Sequence, residues 1–310
     1  MNDFVIINII CMFILVSIVM IYILEVWKRA DGSADDEIYE IMEFFEQEPQ
    51  PPKCKVALAL LMRRPIDLPL WFQHHRKLGI SHFYIRLEDS PGWEDYLAAQ
   101  KDVDYELSSS DKAGNNYETL MHRQLTYVNK CLKKAKESGI DWVFHIDCDE
   151  LLHGSLAYLD TLDKKYKVVR IPNAEAVFTG DEESCFSAKK FLKCYENAPC
   201  KSYVNGKSGA RTEDGVDLQG PHHFGYHGEI VGASVYETPF NTLHVLHFDA
   251  CSFGSWAEKF HHLGNKKQDN IPFPYYNESM DAAVQAYDIY KKHKMDAIKD
   301  ISADLVYQRA

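Results

Sequence analysis

The chain has 310 residues and carries 46 Asp+Glu against 34 Lys+Arg, a formal net charge of −12. That balance excludes a nucleic-acid binder, which needs a basic face to displace phosphate counterions. A content of 46% hydrophobic and 13% aromatic residues excludes an intrinsically disordered chain and leaves ample material for a core.

The charge is unevenly spread. Phe4 to Leu24 contains no charged residue, and only Asn8 and Ser17 are frankly polar. A helix of that length spans about 30 Å, the hydrocarbon thickness of a bilayer. A cleaved signal peptide would carry a basic n-region and a small-x-small site behind the apolar run, and both are missing. Residues 1–27 therefore read as a short tail and an uncleaved transmembrane helix. Trp27-Lys28-Arg29 behind it favour a cytosolic C-terminal domain by the positive-inside rule. The Asn277-Glu278-Ser279 sequon is usable only in a lumen and points the other way. Residues 28–53 turn acidic and end in Pro49-Gln50-Pro51-Pro52, the composition of a stem.

Residues 54–310 read as one α/β domain. Lys55–Leu61 is a short apolar run of the buried-strand type. Pro65–Leu78 follows with Leu70, Trp71, His74, His75 and Leu78 on one helical face, and Gly79 ends that helix. His82–Leu87 and Val103–Leu107 are the next strands. A long helix runs from about Tyr117 to Ser138 with Gly139 as its stop, and Asp141–Leu152 returns to an apolar strand. This alternation predicts a mostly parallel sheet with helices on both faces, whose ligands bind beyond the carboxyl strand ends. Beyond it, Lys167–Ile171 and Leu243–Phe248 are strand-like, Thr179–Gly220 is polar without a clear period, and Asp281–His293 is an amphipathic helix. Among the eight cysteines no CxxC zinc pair exists, and Cys185, Cys194 and Cys200 are close enough in sequence to form a disulfide.

The stretch Trp142-Val143-Phe144-His145-Ile146-Asp147-Cys148-Asp149 carries the chemistry. A strand running directly into Asp-x-Asp would place both carboxylates on one side of an extended chain, with Cys148 facing away. Two hard oxygen ligands there suit Mg²⁺ or Mn²⁺. A protein of net charge −12 that binds a diphosphate needs such a cation. At the first strand ends, Arg63 can meet phosphate or base, and Asp89 a ribose hydroxyl or base N–H.

Trp142–Leu151 resembles the WxxxxDxDEF signature of GT-A glycosyltransferases, with Leu151 in place of Phe. The likeness is strongest to the family 92 and family 2-like group, which includes many type II membrane enzymes. Asp67–Ile85, Gln124, and Asn129 with Cys131-Leu132 resemble further segments of that group in the same order, and the likeness spans about residues 55–265. It implies a GT-A-like, Rossmann-like fold and an inverting, hexosyltransferase-like activity, from a nucleotide-sugar donor to a glycan, glycoprotein or glycolipid. It also implies a Golgi or ER type II location. On the resemblance, Asp147 and Asp149 hold the metal and His247 of Leu243–Phe248 is a third ligand, with His223 as the rival. Lys259 meets the diphosphate, and Gln124 joins the donor contacts. The base that deprotonates the acceptor lies among Asp181, Glu182, Glu183 and Glu175, with Asp181 first. Two other readings compete. One is a haloacid-dehalogenase-like phosphohydrolase with Asp147 as nucleophile, where Leu151 stands in place of Thr or Val. The other is a non-catalytic, membrane-tethered sugar-binding module.

Overall fold

The computed structural model describes residues 38–41, 49–109, 117–178, 184–195, 200, 202–249, 251 and 259. The apolar segment 4–24, Asp181, Glu182, the sequon and the expected C-terminal helix lie outside them. Among the described residues no helix is long and apolar enough to cross a membrane. The chain divides into two units, Met1–Glu40 and Ile41–Ala310. The first contains a short strand, β1 (Ile38–Glu40). The second unit carries the other described elements. Within it the end of the stem is seated on the domain, because both Lys53 and Cys54 donate backbone N–H groups to the Asp160 carboxylate.

Strand β2 (Val56–Arg63) is buried along its length up to Arg63, as a strand flanked on both sides must be. Helix α1 (Leu68–Leu78) starts where Asp67 Oδ1 accepts from the Leu70 N–H at 3.1 Å. It stops at Gly79, whose φ of 101° only glycine adopts without strain. A Cβ there would also lie 2.5 Å from Pro52 Cδ. Strand β3 (Ile80–Glu88), the short helix α2 (Glu94–Ala98), strand β4 (Val103–Ser108), helix α3 (Tyr117–Glu137) and strand β5 (Trp142–His145) complete the first half.

The second half is nearly all strand: β6 (Glu150–Gly154), β7 (Val168–Ile171), β8 (Asn173–Val177), β9 (Lys190–Cys194), β10 (Lys207–Arg211), β11 (Val216–Gly220), β12 (His223–Tyr226), β13 (Val235–Glu237) and β14 (Leu243–His247). The stretch expected to be merely polar, 179–220, thus supplies three strands. A seven-stranded sheet runs β13-β7-β10-β5-β2-β3-β4, with β5, β2, β3 and β4 parallel and β10 antiparallel to both its neighbours. Gly209 lets β10 lie tight on the sheet, since a Cβ would meet the Phe144 ring at 2.6 Å. Alternation divides the core. Ala57, Ala59, Tyr84 and Val143 meet the Tyr127/Val128/Cys131/Leu132/Ala135 stripe of α3. Phe83 points to the other face and packs on Phe72 of α1 at 4.8 Å.

The chain leaves β2 for β3 and β4 on one side and returns to β5 on the other. The order therefore reverses between β2 and β5, where a doubly wound sheet opens a crevice at its carboxyl ends. A second sheet contains β9-β8-β14-β6. Its outer strand β6 is covered by α1 through side-chain bonds to its backbone. Trp71 Nε1 donates to the Glu150 carbonyl at 2.9 Å, His74 Nε2 to the Leu152 carbonyl at 2.7 Å, and His75 Nε2 accepts from the Leu152 N–H at 3.2 Å. His74 and His75 serve packing, as their place on the helical face suggested. The Asn129 side chain of α3 pairs in the same way with both backbone groups of Leu218 in β11.

Burial keeps several of these imidazoles neutral. It lowers His74 and His153 to about 4 and His244 to about 3, and His153 and His244 are cross-strand partners with ring centroids 5.1 Å apart. In the unfolded chain the same rings protonate near pH 6.5. Between pH 6.5 and 4 the unfolded state therefore binds more protons, and stability falls as pH falls. Urea denaturation at pH 7 and pH 5 should show this loss, and His244→Gln should flatten the slope between the two.

Candidate metal and donor site at the sheet switch point

The acidic motif lies where the chain passes from one sheet to the other. Strand β5 ends at His145, and Asp147–Asp149 form a turn closed by the Glu150 N–H on the Asp147 carbonyl at 3.2 Å, with β6 following at once. The expectation of two carboxylates on one side of an extended strand is corrected here: a turn intervenes, and it sends Asp147 and Asp149 to different partners.

Asp147 is occupied by the protein. Gln124 Nε2 of α3 donates to its Oδ1 at 3.2 Å, and Lys207 Nζ at the start of β10 pairs with its Oδ2. Lys207 is fully buried and also lies 3.4 Å from Glu150 Oε1. Glu150, equally buried, accepts from the Tyr203 hydroxyl at 2.5 Å and from the Asp147 N–H at 2.7 Å. Burial alone would discharge Lys207, but the carboxylates of Asp147 and Glu150 outweigh it and hold the ammonium charged. Burial raises the Glu150 carboxyl against the pull of the same lysine.

Asp149 faces the second sheet. The register sets His247 between Glu150 of β6 and Glu175 of β8, so all three side chains leave the same face. His247 Nε2 lies 3.8 Å from Asp149 Oδ2, while its Nδ1 is 3.1 Å from Ser202 Oγ and 3.9 Å from Glu175 Oε1. Burial pushes this imidazole down, yet Asp149 and Asp249 raise it to about 9. Lys259 Nζ pairs with Asp249 and stands 3.5 Å from Asp149 Oδ2. Ligand atoms of Asp149, His247 and Asp249 all fall within 4.8 Å of one another.

This donor set fits a hard divalent cation. Two carboxylates suit Mg²⁺ or Mn²⁺, and an imidazole favours Mn²⁺ of the two. The Lys259 ammonium beside both carboxylates shows that a positive charge is accommodated there. A second group, Glu175 with Cys194 and Cys200, offers no thiolate because the cysteines are joined.

Arg63 ends β2, Asp89 directly follows β3, and the two are paired with each other at 3.2 Å. Cys148 Sγ lies 3.6 Å from the Arg63 carbonyl, and burial, helped by the Asp149 and Asp147 charges, pushes its thiol up to about 12. His223, the rival ligand, lies on β12 against Asn205, 3.1 Å away, outside the Asp149 group. Glu175 adjoins His247, whereas Asp181 and Glu182 fall outside the described residues. Lys207, Tyr203, Glu150 and Asp249 were not singled out from the sequence. Only Glu150 and Asp249 had a signal there, one directly behind the acidic pair and one two residues after His247.

No known protein-family profile matches the chain. Two Arabidopsis thaliana proteins are similar to it at 23% identity, each aligned over 50% of this chain and over 45% and 40% of their own lengths. Both are named glycosyltransferase-like. The chain is thus a distant relative of glycosyltransferase-like proteins and spans less than half the length of those it matches. Among solved structures, HddC from Yersinia pseudotuberculosis is similar with a TM-score of 0.35 at 8% identity, over 66% of this chain and 97% of that one. A CMP:2-keto-3-deoxy-manno-octonic acid synthetase complexed with CTP has a TM-score of 0.25 at 11% identity, over 51% and 74%. At such scores these likenesses carry no functional weight.

Removing one partner of a buried charge pair costs more than the pair contributes. Lys207→Met should lower unfolding stability by about 3 kcal/mol or more at pH 7, measured by denaturant titration. Adding Glu150→Gln to that variant should restore part of the loss.

Proposed function

We propose that the chain is a metal-dependent glycosyltransferase that moves a sugar, with inversion, from a nucleotide-sugar donor to a hydroxyl of a glycan, glycoprotein or glycolipid. The observation that carries this reading is the placement of the acidic turn. Asp149, His247 and Asp249 converge behind the carboxyl end of β5, beside the crevice where sheets of this order take their ligands. The names of the two plant relatives support the reaction class.

In such a transfer the acceptor oxygen attacks the anomeric carbon while the bond from that carbon to the diphosphate breaks. The acceptor loses a proton and the leaving group gains charge. A divalent cation bound at the turn supplies neutralisation of that charge. Lys259 adds a second positive charge, and Lys207 with Gln124 keeps the turn in one geometry. Arg63 and Asp89, at the first two strand ends, hold the nucleotide. Asp181, Glu182 or Glu175 takes the acceptor proton. A phosphohydrolase with Asp147 as nucleophile is less well supported, because both Asp147 oxygens are engaged by Gln124 and Lys207.

The same reading extends to location. Residues 4–24 anchor the chain, and the domain behind them faces the lumen of the ER or Golgi. The pairs Cys185–Cys251 and Cys194–Cys200 support an oxidising compartment.

Incubated with Mn²⁺ and a panel of UDP-sugars, the full chain should release UDP, and Asp149→Ala should reduce that release at least a hundredfold. Turnover unchanged in that variant refutes the metal role of Asp149. In cells, Asn277→Gln should abolish a glycosidase-sensitive mobility shift; the absence of any shift in the parent chain counts against a lumenal domain.

A further inference from the structure

Asp249 belongs to no part of the resemblance, yet it is placed as a ligand would be. Strand β14 ends at His247, and Phe248 turns inward against Phe186 and Phe191, with ring centroids 5.1 and 5.5 Å away. His247 and Asp249, on either side of an inward Phe248, therefore emerge together toward the acidic turn. The Phe248 N–H donates to the Asp149 carbonyl at 2.9 Å and fixes the distance between the two segments. Two residues on, Cys251 is joined to Cys185, which holds the segment from its far side.

The carboxylate itself signals a missing partner. Asp249 is 9% exposed, and one of its oxygens is paired with Lys259. The other, Oδ2, is buried and has no hydrogen-bond partner among the described residues. A buried carboxylate oxygen without a partner marks a place for a cation or an ordered water. Asp147, by contrast, is bonded at both oxygens, and a cation there would have to displace Gln124 or the buried Lys207.

We propose that the divalent cation is held by Asp149, His247 and Asp249, while Asp147 positions the turn through Lys207 and Gln124 rather than ligating directly. His247 would ligate through Nε2, with its Nδ1–H oriented by Ser202 Oγ and Glu175. Lys259 occupies the cation's place between Asp149 and Asp249 and must yield it when the metal enters. This assignment rests on the metal-dependent reading above and changes its ligand set.

The test is Mn²⁺ binding to the full chain purified in detergent, read from the six-line resonance of free Mn²⁺, with no donor or acceptor present. Wild type should bind one ion, and Asp149→Asn and Asp249→Asn should each weaken binding about tenfold or more. Asp147→Asn should weaken it less than Asp249→Asn does. Thermal midpoints without metal identify any variant that fails to fold. Asp249→His provides a gain-of-function control, since a second imidazole should shift preference from Mn²⁺ toward Zn²⁺. Binding lost in Asp149→Asn but retained in Asp249→Asn overturns the role of Asp249 and leaves the metal centre standing. A larger loss in a folded Asp147→Asn than in Asp249→Asn also overturns the assignment. No binding by wild type overturns the metal centre and this ligand set with it.

Discussion

A lysine ammonium with no access to water governs the arrangement of this domain. Lys207 enters from β10, where the antiparallel strand meets the end of β5, and its charge is shared between Asp147 and Glu150. Removing such a group from water is costly, and here the cost is offset only because two carboxylates and the Tyr203 ring surround it. The two carboxylates lie on either side of the turn that carries the chain from one sheet to the other. One buried cation thus fixes the angle between β5 and β6, and with it the direction in which Asp149 leaves the turn.

The second constraint is the covering of β6. That strand would otherwise expose an unpaired edge, and Trp71, His74 and His75 of α1 satisfy its backbone groups instead. Helix α1 thereby touches both sheets, through Phe72 on one side and these three side chains on the other. Held from α1 and from Lys207, the acidic turn has little freedom. A rigid site of this kind suits electrostatic stabilisation, which depends on charges that need not reorganise as the reaction proceeds.

Much of the first half was legible in the sequence, because its periodicities are strong. The unbroken apolar run of β2, the apolar face of α1 with its Gly79 stop, and the Gly139 stop behind α3 all announce themselves within short stretches of chain. The parallel order of β2 to β5 followed from their alternation with helices. The segment around β9 to β11 was not legible. Its strands are five residues long and of mixed polarity, and Lys207-Ser208-Gly209 is buried only through its partners β5 and β7. The site divides along the same line. Asp147, Asp149, His247 and Lys259 stood out through spacing and resemblance. The pairing of Lys207 and Tyr203 with Glu150 is a balance of charge in three dimensions and leaves no trace in local order. The turn after His145 was misread because an apolar strand and its continuation look alike until the chain is seen to change sheets.

The bond between Cys185 and Cys251 has an architectural consequence. It closes a covalent ring over a sequence separation of 66 residues, and that ring contains Ser202, Tyr203, Lys207, His247 and Asp249. Gln124, Asp147, Asp149 and Glu150 all lie outside it, on the stretch that includes the parallel strands. The site is therefore bipartite: the tethered ring supplies Lys207, His247 and the Asp249 carboxylate, and the half built on parallel strands supplies the acidic turn. An insertion within that ring would lengthen the tethered segment that carries Lys207, His247 and Asp249 without touching the stretch of chain that carries Asp147, Asp149 and Glu150.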